Sequence, residues 1–133
     1  MTNKHKTTSL IALALGLTLM SLTPAADSKT ITTEDGLTVV NTQVIGKNIE
    51  GYQGPTPVKL YIKKDKVVRV EALPNHETPK YFARAKAVLK KFEGKSLKKV
   101  SSMKVDAVTG ATYSSEALVR NVKKGVKYYN EHR

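Results

Sequence analysis

The stretch Val58-Lys59-Leu60-Tyr61-Ile62-Lys63-Lys64-Asp65-Lys66-Val67-Val68-Arg69-Val70-Glu71 decides the fold. Val58, Leu60 and Ile62 alternate with Lys59, Tyr61 and Lys63. A period of two buries one face of a strand and leaves the other in water. Lys64-Asp65-Lys66 turns the chain, and Val68 and Val70, alternating with Arg69 and Glu71, are expected to return as the second strand. A hairpin of this kind implies an antiparallel sheet.

The preceding sequence extends that sheet. Lys29 to Ile49 is rich in Thr, Val and Ile, which favour strands. Asp35-Gly36 is a tight-turn signal joining Thr30–Thr33 to Leu37–Val40. Gly46, Gly51 and Gly54, with Pro55 and Pro57, mark irregular backbone before the hairpin.

Beyond the hairpin the period changes. Thr78-Pro79 opens a helix, with Thr78 as cap and Pro79 at its first position. Phe82, Ala85, Val88, Leu89 and Phe92 make its apolar stripe, and Gly94 stops it. Val100 to Val105 is expected as a short strand. The last helix is expected from about Ser114 to Tyr129, with Leu118, Val122, Val126 and Tyr129 on one face. Strands followed by helices, without βαβ alternation, predict an α+β fold: a small antiparallel sheet with two main helices, in a single domain.

The N-terminus reads as an export signal. Lys4 and Lys6 give a positive start, Leu10 to Leu22 an apolar run, and Thr23-Pro24-Ala25-Ala26 small residues for cleavage. The run is shorter than the roughly 20 residues a membrane span needs. The expected division is therefore a signal peptide over residues 1–26 and one domain over 27–133. The formal charge is +12, and losing Lys4 and Lys6 with the leader lowers it by two, to +10. Export argues against nucleic acid as partner. The lysines read as spread along every element, a surface suited to weak association with anionic lipid or polymer, or to steering an acidic redox partner. There is no cysteine. With His76 and His132 the only histidines after the leader, no metal site is expected.

The segment Asp106-Ala107-Val108-Thr109-Gly110-Ala111-Thr112-Tyr113-Ser114-Ser115 leads into the last helix. A helix start presents unpartnered N–H groups and the positive end of the peptide dipoles, so it can seat a phosphate. Gly110 and Ala111 let a large ligand approach the backbone. Thr112, Ser114 and Ser115 read equally well as ordinary helix caps. On chemistry alone His76 is a solvent-exposed loop residue, Glu77 and Thr78 belong to helix entry, and Tyr113 packs locally.

The pattern Asp106-x-x-Thr109-Gly110-Ala111-Thr112 resembles the attachment motif of the FMN-binding domain family. That family includes the periplasmic C and G subunits of sodium-pumping NADH:quinone reductases and related ion-pumping redox complexes. Gly51-Tyr52-Gln53-Gly54-Pro55, the Val58–Val70 hairpin, the loop containing His76-Glu77-Thr78-Pro79, and Lys91-Phe92-Glu93-Gly94-Lys95-Ser96-Leu97 follow in the family's order. The resemblance spans roughly Lys47 to Tyr129. It departs at Lys80-Tyr81-Phe82, where many members continue the loop with a glycine.

The resemblance implies FMN as cofactor, esterified through its phosphate to Thr112 by an FMN transferase that uses FAD. It places Thr109, Gly110, Ala111 and Asp106 in the recognition motif, and His76, Glu77 and Thr78 in a loop near the flavin; Tyr113 is then a candidate to pack on the flavin ring rather than only locally. The expected protein is an exported electron carrier rather than an enzyme, periplasmic or on the outer face of the cytoplasmic membrane, serving a membrane or extracytoplasmic redox partner. The alternatives are noncovalent FMN binding, or a cofactor-free basic module that binds anionic cell-surface polymer or lipid.

Overall fold

The computed structural model describes residues 30–133; the expected export signal lies outside the described residues. Four strands form an antiparallel meander in the order β1 (Ile31–Glu34), β2 (Leu37–Asn41), β3 (Val58–Lys63), β4 (Lys66–Ala72). Helices α1 (Pro79–Ala85), α2 (Leu97–Ser102) and α3 (Thr112–His132) follow, with a 3₁₀ segment (Lys86–Phe92) between the first two. This is the α+β arrangement expected.

Both hairpins close on two residues with positive φ: Asp35 (50°) with Gly36 (78°), and Lys64 (50°) with Asp65 (59°). Such turns match the right-handed twist of the flanking strands. Val40, Val58, Leu60, Ile62, Val67 and Val70 point from the sheet into one core. α3 lays Leu118, Val122 and Val126 over β2 and β3, while the 3₁₀ segment covers β4. Gly125 allows the closest approach, because a Cβ there would fall 2.1 Å from Leu60 Cδ1.

A buried polar network locks α3 in register over the sheet. Val58 N–H donates to Thr42 Oγ1 (2.9 Å), which donates to Asn121 Oδ1 (2.9 Å). The Asn121 amide nitrogen donates to the carbonyls of Thr56 and Ala117, both at 3.0 Å. A fully buried amide with all its hydrogens placed specifies one helix position.

The structure corrects the sequence reading at five places. Val68 is exposed and Val67 buried, because the β3–β4 register shifts between Tyr61 and Ile62: Tyr61 pairs with Arg69 but Ile62 with Val67. The bulge leaves Val68 as the unmatched residue on β4. The helix from Thr78 is not continuous, since α-helix gives way to 3₁₀ at Lys86. The apolar positions 82, 85 and 88, then 89 and 92, are three apart, and three residues per turn keeps them facing the core.

Val100 lies in α2 rather than in a strand. Ser96 Oγ accepts the Lys99 N–H at 3.1 Å, a helix cap, and Leu97 and Val100 are buried three residues apart. Finally, α3 starts at Thr112, earlier than expected, with Ala111 in the cap position and no side chain capping it. Thr112, Ser114 and Ser115 are therefore not its caps.

Tyr61 was expected on the solvated face but is only 3% exposed. Its hydroxyl donates to Glu71 (3.0 Å), and the Arg69 guanidinium lies 3.8 Å above the ring. Burial first, then the Glu71 hydrogen bond and the charges of Glu71 and Glu34, push its phenol above the ordinary tyrosine value. The raised folded-state value means that this contribution to stability is full below the ordinary tyrosine range and is lost as pH rises through the folded value. An ultraviolet titration is expected to show one tyrosine ionising later than the rest, and Tyr61→Phe is expected to remove that late step.

Candidate functional site

Glu77 is a carboxylate only 6% exposed, in the loop between β4 and α1. Asn75 Oδ1 accepts the Glu77 N–H at 2.9 Å, which fixes the loop locally. The carboxylate accepts from the backbone of another loop: Tyr52 N–H to Oε1 at 2.8 Å, and Gln53 N–H to Oε2 at 2.5 Å. It also accepts from the hydroxyl of Ser114 in the first turn of α3. Charge-assisted bonds of this type are roughly twice as strong as neutral ones. Gly51 makes room for the carboxylate, since a Cβ there would lie 2.3 Å from Oε1.

The motif turn meets this tie from the other side. Ala111 N–H donates to the Val108 carbonyl at 2.9 Å, closing a turn in which Gly110 takes φ +83°. Glycine alone adopts that conformation without strain. Ser115 holds the turn against α3, accepting from Val108 N–H (3.0 Å) and donating to the Ala111 carbonyl (2.8 Å).

Between these parts lies a cleft of about 330 Å³ lined by Tyr52, Glu77, Thr78, Tyr81, Gly110, Ala111, Thr112, Tyr113 and Ser114. Pockets of this size accept small organic ligands. Tyr52 and Tyr113, both in its lining and 71% and 64% exposed, stack on one another with ring centroids 6.2 Å apart. Uncapped α3 leaves the first-turn N–H groups of Thr112, Tyr113 and Ser114 without intrahelical partners, and no acid lies in that turn. The arrangement offers an anion seat beside a slot walled by aromatic rings.

Six of the residues singled out from sequence come together here: Glu77, Thr78, Gly110, Ala111, Thr112 and Tyr113. Three lie outside the cleft lining: His76, Asp106 and Thr109, all exposed. The sequence reading missed Tyr52, Tyr81 and Ser114. Gly51-Tyr52-Gln53-Gly54 was the available signal for the first, while Ser114 was read as a possible cap.

Positive charge is densest in one stretch. Residues 80–104 carry nine Lys or Arg against one acid, Glu93. All nine are exposed, and none joins an ion pair among the described residues. Seven of them lie in α1, the 3₁₀ segment and α2, with Lys95 and Lys104 in the connections, and Tyr81 of α1 lines the cleft.

The family model described as FMN-binding domain matches residues 51–127. The chain therefore belongs to the FMN-binding domain family, and FMN is its cofactor. Comparison with curated proteins gave no match.

Removing the Glu77 carboxylate is expected to open the site. Glu77→Ala should cost about 3 kcal/mol in denaturant unfolding, because it strands three donors at once. It should also speed hydrogen exchange at the Tyr52 and Gln53 amides. Unchanged stability and exchange would show that the tie does not organise the cleft.

Proposed function

We propose that this protein is an exported electron carrier in which FMN is held by an ester between its phosphate and the Thr112 hydroxyl. The observation that carries the reading is the placement of Thr112. It is exposed, at the first position of an uncapped helix, on the rim of the cleft. A phosphate on its oxygen would meet the free N–H groups of the same turn, where the helix dipole favours negative charge.

The residues suit the group. The Thr112 oxygen and the amides of Thr112, Tyr113 and Ser114 would hold the phosphate, and Tyr52, Tyr81 and Tyr113 would supply aromatic surface for the ring. Bound FMN provides one- and two-electron redox chemistry, while the protein sets its attachment, orientation and surroundings. Thr112 acts as a substrate rather than a catalyst: a threonine hydroxyl needs an activating base, and a separate transferase brings one. With FAD as donor, the threonine oxygen bonds to the flavin-side phosphorus, the pyrophosphate bond breaks, AMP leaves and the hydroxyl gives up its proton.

A covalent link suits a carrier outside the cytoplasm, where dissociated FMN would be lost to dilution. The unpaired cations of residues 80–104 favour an acidic redox partner approaching beside the cleft.

The test is co-expression of the full chain with an FMN transferase, followed by a denaturing gel. Wild-type protein should keep its flavin fluorescence through denaturation, and Thr112→Val should lose it. Equal fluorescence in both removes Thr112 from the account. Flavin that co-purifies but is released by denaturation from both supports noncovalent binding instead.

A further inference from the structure

We infer that Arg84 binds the phosphate of FMN, closing over the side of the seat that α3 leaves open. The inference takes the position of the phosphate from the reading above. Arg84 lies in α1, and its Nη1 is 3.3 Å from the point that a Cβ on Gly110 would occupy. The guanidinium thus rests against the backbone of the motif turn, two residues before Thr112.

This cation has no counter-charge. Among the described residues it joins no ion pair. The buried carboxylate nearby, Glu77, is already engaged by Tyr52, Gln53 and Ser114. The first turn of α3 contributes no acid and no capping side chain. Arg84 is not itself in the cleft lining, but Gly110, against which its guanidinium rests, is, so a phosphate at the start of α3 would meet an unpaired guanidinium beside the turn as well as the free amides. Arginine suits the task because its planar fork pairs with two phosphate oxygens at once. Gly110 fits the same account: its φ of +83° shapes the turn, and its lack of a side chain lets the guanidinium reach the backbone.

The chain enters α1 directly at Pro79. Helical winding from that point brings Arg84 to the turn.

The test compares FMN with riboflavin, which lacks the phosphate, by fluorescence titration of the full chain produced without transferase. Wild type should prefer FMN, and Arg84→Met should cut FMN affinity about tenfold, the usual scale for one charge-assisted bond, while riboflavin affinity stays constant. Arg84→Lys should restore part of the preference. Lys91→Met, which removes the same charge from the same layer away from the cleft, should leave it intact. An absent FMN preference in wild type, an unchanged preference in Arg84→Met, or an equal loss in Lys91→Met overturns the inference. A preference that depends on Arg84 in a chain whose Thr112 is never esterified by a transferase would uphold this inference and sink the covalent reading. Esterified Thr112 with an Arg84-independent preference would do the reverse.

Discussion

The Glu77 carboxylate is the constraint on which the rest of this site depends. It lies almost wholly out of water and survives there because backbone donors from one loop and a hydroxyl from α3 meet it. A buried charge without such partners is strongly unfavourable. The loop around Tyr52, the entry to α1 and the start of α3 must therefore close on one point together. Those same segments wall the cleft. A cost of burial thus fixes the shape of the cleft.

The scaffold behind this tie is rigid. The meander sheet gives α3 an apolar bed, and the Thr42–Asn121 network sets where along that bed the helix lies. α3 runs for 21 residues, so its start is held by packing far from the cleft. The helix does not need a capping side chain at that end, which leaves its first amides free for a ligand.

Much of this was legible in the chain because it is local. The inward set Val58, Leu60 and Ile62, the Asp35-Gly36 turn and the apolar face at 118, 122 and 126 are short-range patterns, and each appears as read. What failed was decided by distant partners. A bulge pairing Ile62 with Val67 reversed the roles of Val67 and Val68. The run Val100 to Val105 looked like a strand, yet Ser96 caps a helix whose Leu97 and Val100 are buried. Ser114 resembled a cap, and its actual partner lies 37 residues away. The motif around Thr112 could be recognised, but the meeting of Tyr52, Glu77 and Arg84 with it depends on tertiary closure.

Peptide mapping by mass spectrometry, on mature protein from its own host with the transferase active, tests the central claim most directly. The account predicts a single adduct, FMN less one water, on the peptide spanning residues 105–120 and localised by fragmentation to Thr112. An adduct on Thr109, Ser114 or Ser115, or fully unmodified protein, would contradict it.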